Sequence, residues 1–252
     1  ALFATVVLTF AQDSYSVVPF RVCSDKFSFL PFNLHNPLNL KYKKSTKASF
    51  FLTPSKFLIP ELHSFGSYVD FNLPLTANGS LLVEGINAKK FSQLNFKFSI
   101  QADFFDKFNF ATSIGGNLLS ISGLGQQFST RGAFFLEYQP SDNLIISFAF
   151  RNTLNPNPQV QKYITFGFQY TFWKMFTAGY STNVNLGFHT SYDFYFTFSP
   201  FEKISCDIDI QTLPQVITFS VGYDFNDFNL SLFLQYNNKL FLSQTICLTI
   251  NF

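Results

Sequence analysis

The chain has 252 residues, a formal net charge of +2, 13% charged and 20% aromatic residues, and 38 Phe. A soluble domain of this size carries about 25% charged residues, so the composition argues against a water-bathed globule, and the small net charge argues against nucleic-acid binding. No apolar run approaches the ~20 residues that a membrane-spanning helix needs, and Cys23, Cys206 and Cys247 are too far apart and odd in number for a disulfide framework or a metal ribbon.

In chain order, residues 1–12 are apolar. They fit the tail of a secretory signal cleaved after Ala11 or Gln12, or a segment lying in or beside a pore. Residues 1–12 thus read as signal remnant, pore helix or strand, within an N-terminal segment that extends over 1–25. Segments 17–24 and 27–34 have strand composition but are interrupted by Pro19 and Pro31. From there the organisation is strand, short turn, strand. Alternation of apolar and polar side chains predicts strands at 38–44, 49–53, 68–75, 80–87, 94–102, 108–115, 118–125, 131–139 and 144–151. It continues with 162–172, 176–182, 184–191, 192–199, 204–211, 216–224, 228–236 and 241–252. Turn chemistry separates them at Ala77-Asn78-Gly79, Gly116-Asn117, Pro140-Ser141-Asp142-Asn143, Phe225-Asn226-Asp227 and Asn237-Asn238-Lys239.

Strands with one oily and one wet face, with no linker between them, predict a single all-β domain over 1–252. In lipid such strands must close, since an open edge leaves backbone groups unpaired. The expectation is a transmembrane antiparallel β-barrel of about 19 strands, about 17 firm and two weak, the odd count being closed by a parallel pair. Loops are short at both ends, the longest gaps being 54–67 and 152–161. A soluble propeller would show a blade-length repeat, and there is none.

Strand parity assigns the faces. Phe96, Phe98, Phe166, Phe168, Phe194, Phe196 and Phe219 fall on the lipid parity. Lys97, Gln101, Arg151, Gln169, His189 and Gln211 fall on the lumen parity, with Asp193, Asp207, Asp209 and Asp224. A hairpin through 200–203 sets Asp193 opposite Asp209, with Asp207 one inward position deeper. Three carboxylates then gather near one mouth and Asp224 lies towards the other, an arrangement that attracts cations or basic peptides. The alternative is that these acids only hydrate a polar wall. Basic residues concentrate in the first half of the chain, which predicts one basic and one acidic wall sector. His35, His63 and His189 lie on separate segments. With no phosphate loop, nucleophile elbow or metal motif, neither an enzyme nor a cofactor or metal site is expected.

Several strand ends carry a resemblance. Tyr236-Asn237-Asn238-Lys239-Leu240-Phe241, followed by Cys247-Leu248-Thr249-Ile250, resembles the final hairpin of the mitochondrial porin superfamily. Upstream, Gly115-Gly116-Asn117, then Gly132 through Glu137-Tyr138, then Tyr170-Thr171-Phe172-Trp173 follow the same order. The likeness covers roughly residues 80–252. It is nearer to the channel subunit of the outer-membrane protein translocase (the TOM complex) than to the voltage-dependent anion channel. Ser243, Leu248 and Ile250 fit three slots of that family's sorting signal, while Thr245 stands in its Gly slot. The resemblance implies a protein-conducting channel in the outer membrane of mitochondria or a mitochondrion-related organelle. It also implies small single-span helical subunits as partners, precursor polypeptides in transit, and an assembly of several barrels in the bilayer. Three other readings stay open: an anion or metabolite porin with a basic lumen, a bacterial outer-membrane porin, and a structural barrel with no open pore. The signal-like start and final Phe favour the bacterial reading; the short loops and odd count disfavour it.

Overall fold

The computed structural model describes residues 21, 36–42, 46–55, 61–74, 77–105, 107–151, 162–173, 175–185, 190–213, 215–238 and 241–252. Among them, one short 3-10 helix, Pro37–Tyr42, precedes fourteen strands. These are β1 Lys47–Thr53, β2 His63–Asn72, β3 Ala77–Ala88, β4 Phe91–Phe105, β5 Phe108–Ile121, β6 Gly125–Ser141 and β7 Leu144–Arg151. Then follow β8 Tyr163–Phe172, β9 Phe176–Asn185, β10 Thr190–Phe201, β11 Ile204–Gln211, β12 Val216–Asp224, β13 Phe228–Asn237 and β14 Phe241–Asn251. Each strand pairs with its chain neighbours, and β1 pairs with β14 to close the barrel. The closing pair is antiparallel, running from Lys47↔Asn251 to Leu52↔Ile246. An even up-and-down meander ends with its first and last strands opposed, so no parallel pair is needed.

The expected count of about 19 strands, with its parallel closing pair, is therefore corrected, and the reasons are local. Segment 38–44 alternates like a strand, yet 37–42 is helical. Pro37 suits a first helical position, and Asn36 caps it: its Oδ1 accepts the Leu38 N–H at 3.0 Å and its carbonyl accepts the Asn39 N–H at 3.3 Å. Segments 108–115 and 118–125 are mostly one strand, β5. Gly116-Asn117 reads as a turn, but Gly115 and Gly116 serve as space for neighbours. A Cβ on Gly115 would sit 2.2 Å from the Phe96 carbonyl oxygen, and one on Gly116 would meet the Phe96 and Phe128 rings. Segment 176–182 likewise runs on through Asn183, whose side chain is hydrogen-bonded into the wall, to Asn185 as β9, while Thr190 and Ser191 open β10 and 186–189 lie outside the described residues. The candidates 17–24 and 27–34 lie outside the described residues, apart from Arg21.

The two faces differ sharply. Lys47, Asp70, Glu84, Lys97, Asp103, Arg131, Glu137, Arg151, Asp193, Asp207, Asp209 and Asp224 are the described Asp, Glu, Lys and Arg residues within strands, and all have the inward parity. A basic residue on the outer face at mid-bilayer would cost about 2–4 kcal/mol. The outer face is instead aromatic and aliphatic, with phenylalanines such as Phe98 (37% exposed) and Phe166 (51%) standing clear of the wall. The strands, mostly 8–12 residues long, match the length that a tilted strand needs to cross the hydrocarbon core.

Both barrel termini, Lys47 and Asn251, lie at one end, here the terminal end. Its connections are 73–76, 106–107, 142–143, 173–175, 202–203 and 225–227. The two longest connections, 54–62 and 152–162, both lie at the other, distal end. At the terminal end, aromatic pairs mark the rim. Phe108–Tyr138 and Tyr170–Phe172 have centroids 4.7 Å apart, Tyr223–Phe225 4.6 Å, and Trp173 is 83% exposed beside them. Rings with one apolar face and one polar atom settle at a lipid–water boundary.

Candidate functional site in the barrel lumen

The lumen holds part of the chain's own N-terminal region. The helix 37–42 packs against the inner faces of β3–β6. Its two leucines diverge. Leu38, 0% exposed, joins Ala111, Phe135, Ile145, Ala149 and Tyr195. Leu40, 2% exposed, joins Phe51, Tyr68, Leu82, Phe233 and Cys247. One cluster is drawn from β5–β7 and β10, the other from β1–β3, β13 and β14, so the helix bridges two sectors of the wall. These inward aromatic and aliphatic residues interrupt an otherwise polar lining of Ser, Thr, Asn and Gln. Burying each leucine is worth about 1.5–3 kcal/mol.

Arg21 makes the polar half of this plug. It is 1% exposed. Its Nε and Nη2 donate to the two oxygens of Asp209 at 2.9 and 2.8 Å. Nη1 and Nη2 donate to Asp207 Oδ1 at 3.2 and 3.1 Å, and Nη1 also reaches Thr197 Oγ1 at 3.1 Å. The guanidinium lies 4.5 Å from the Tyr195 ring centroid. Tyr195 in turn donates to Gln169 Oε1 at 3.0 Å and lies flat over Gly179. The Arg21 carbonyl accepts from Asn36 Nδ2 at 3.1 Å, which links the ion pair to the helix. Buried pairs of this kind hold only when the remaining hydrogen bonds are made, and here they are.

The other expected lumen residues fall into separate groups. Arg151 donates to Asn183 Oδ1 at 3.0 Å and to Thr165 Oγ1 at 3.3 Å, with its guanidinium 4.9 Å from the Tyr163 ring centroid. Asp193 Oδ2 accepts from Asn183 and from Ser181 Oγ, the latter at 3.2 Å. Gln101 accepts from Asn78 at 3.0 Å and donates to Asp103 at 2.7 Å. Glu137 accepts from Asn109 at 3.0 Å. Lys97 and Gln211 are half-buried on the inward parity, and Asp224 stands at the terminal rim, where its Oδ1 accepts the Asn226 N–H at 2.9 Å. His189 lies outside the described residues. Ser243 is buried on the lumen face, while Leu248 and Ile250 face outward.

Two details of the expected arrangement change. Asp193 pairs with Gln211, and Tyr195 stands opposite Asp209, because a register shift between Phe198 and Phe201 moves β10 along β11. Asp207 and Asp209 therefore lie mid-wall on Arg21, and Asp193 lies one inward step nearer the distal mouth. No basic sector forms among the described residues: Lys89, Lys90 and Lys107 are in connections, and carboxylates occur on the inner face from β2 to β12. The sequence reading put Tyr195 and Thr197 on the lumen parity and counted Arg21 among the basic residues of the first half, but it did not join the three to the two acids. The available signal was an aromatic on the wet parity, Tyr195, between the outward Phe194 and Phe196.

These features define a class: a membrane-type, up-and-down β-barrel with an internal plug. No protein-family model matches the sequence, and no curated protein matches it. Solved structures do match in fold. The Pseudomonas putida toluene transporter TodX aligns with a TM-score of 0.66 at 10% identity, covering 91% of this chain and 95% of its own. The CymD monoaromatic hydrocarbon channel aligns at 0.66 and 9%, covering 92% and 95%. The Acinetobacter baumannii outer membrane protein Omp33 aligns at 0.57 and 8%, covering 82% and 98%. The mitochondrial resemblance is overturned by these neighbours and by the even, antiparallel closure. The protein-translocation role, the small helical translocase subunits and the transiting precursors go with it.

Proposed function

We propose that the chain is a channel of the bacterial outer-membrane porin type, passing small polar solutes through a lumen that the plug restricts. The carrying observation is the sorting of every described strand charge to the inner face of a closed barrel whose outer face is apolar. The end asymmetry supports the same reading. Bacterial barrels combine short periplasmic turns with longer extracellular loops, so the terminal end is periplasmic and the distal end extracellular. The hydrocarbon channels share the fold at 9–10% identity, which does not carry their cargo across. Here the wall is mostly hydroxyl, amide and carboxylate. Asp193, Asp207, Asp209 and Asp224 outweigh Lys97 and Arg151 along the path lined also by Gln101, Gln169 and Gln211, so cations are favoured over anions.

The test is swelling of liposomes reconstituted with the full chain, and with Leu38→Asp/Leu40→Asp, which would unseat the plug. The channel reading expects solute-size-dependent swelling, faster in the double variant. Liposomes that do not swell with either protein, although both are folded and inserted, would sink it.

A further inference from the structure

Arg21 occupies a cradle whose every part belongs to the wall. Asp207 and Asp209 project from β11, Thr197 and Tyr195 from β10, and Gln169 and Gly179 brace the tyrosine from β8 and β9. All three guanidinium nitrogens are matched, two of them to both oxygens of Asp209. The planar fork is met by a fork, and one flat face is met by an aromatic ring at 4.5 Å. Gly179 makes the ring position possible, since a Cβ there would lie 2.0 Å from Tyr195 Cζ. A compact ammonium would use neither the fork nor the flat face fully. A second observation lies one inward step away towards the distal mouth. Asp193 Oδ1 is buried and has no hydrogen-bond partner among the described residues. It is an acceptor left open beside the cradle on the route from outside.

We propose that this cradle is a binding site for guanidinium-bearing solutes, which Arg21 fills at rest, so that such a solute competes with Arg21 and loosens the plug. The loosening rests on the channel reading above; the binding site does not. The competition has a defined size. A site that is available only a fraction of the time binds more weakly by that fraction. If Arg21 leaves the cradle between about 1% and 10% of the time, emptying it by Arg21→Gln tightens binding about 10- to 100-fold.

The experiment is calorimetric titration of agmatine, a guanidinium on a short amine chain, into the full chain folded in micelles. Arg21→Gln is expected to bind one agmatine, about 10- to 100-fold more tightly than wild type. Adding Asp207→Asn and Asp209→Asn is expected to abolish binding, and 1,4-diaminobutane to bind at least about tenfold more weakly than agmatine. If Arg21→Gln folds only when agmatine is present, that dependence itself supports the site. The wild type then supplies the second readout: agmatine, and not the diamine, speeds thiol labelling of Cys247 beneath the plug. A folded Arg21→Gln that binds no agmatine, or binds agmatine and the diamine equally, overturns the proposal. So does a wild type whose Cys247 labelling ignores agmatine when the variant cannot be folded at all. A barrel that binds agmatine but never swells liposomes keeps the site and loses the channel; one that swells them without binding agmatine does the reverse.

Discussion

Arg21→Ala should release the plug, and a native thiol can report it. In the wild type, Cys247 is 1% exposed and sits in the cluster that holds Leu40. Its access to a water-soluble maleimide therefore depends on how often the plug undocks. Removing Arg21 leaves Asp207 and Asp209 buried against each other without their cation, a change that costs about 3–5 kcal/mol in a buried pair. At 1.4 kcal/mol per decade, the docked-to-undocked ratio falls by a factor of about 10² to about 4 × 10³. Labelling samples the open state, so its rate should rise until that state saturates: about 10- to 100-fold for a plug that opens about 1–10% of the time in the wild type. The measurement is the maleimide reaction rate in proteoliposomes, in a Cys23→Ser/Cys206→Ser background. Leu40→Ala serves as a positive control, since a buried Leu→Ala change costs about 2–5 kcal/mol. If Arg21 were only a solvated pair, worth about 0–1 kcal/mol, the acceleration would stay below about fivefold. A rate within that limit, with Leu40→Ala labelled rapidly, would refute the role given to Arg21.

Three further outcomes follow from the geometry. Phe168→Arg, on the outer face, should lower barrel stability by about 2–4 kcal/mol in urea titrations in lipid, whereas Gln211→Arg, at a half-buried inward position, should not carry that penalty. Gly179→Val should cost about 1–3 kcal/mol by overpacking, because its Cβ would lie 2.0 Å from Tyr195 Cζ; most of the loss should vanish in a Tyr195→Ser background, and an equal loss there would show that the ring is not the obstacle. Asn226, at φ +77° in the β12–β13 turn, should tolerate Gly, while Asn226→Ala should cost about 1–2 kcal/mol in the same titration.

The barrel was legible because its strands obey a two-residue period over most of the chain, and a lipid-facing Phe such as Phe166 or Phe196 stands beside a polar inward neighbour. The count was not legible for three physical reasons. Gly116-Asn117 is turn chemistry in sequence, but within β5 Gly116 gives room to the Phe96 and Phe128 rings and Gly115 to the β4 backbone. Asn183 looks like a strand end, but it is a polar link between Arg151 and Asp193. Leu38 and Leu40 alternate as in a strand, but each seats in a different inner cluster from a short helix. These misreadings turned an even barrel into an odd one, and the odd count, together with the order of the strand-end motifs, had supported the mitochondrial assignment. The inward acids were legible from parity. Their partner was not, because Arg21 reaches Asp209 across 188 positions of sequence, and no local pattern encodes that contact.

The central claim is that the lumen conducts and that its carboxylates, partly masked by Arg21, set the preference for cations. It is tested most directly by the reversal potential of single channels across a potassium chloride gradient, for wild type and Arg21→Gln. The account predicts cation preference in both, with higher conductance and stronger cation preference once Arg21 no longer neutralises Asp207 and Asp209. Anion preference in both, or a preference and conductance that Arg21→Gln leaves unchanged, would contradict it.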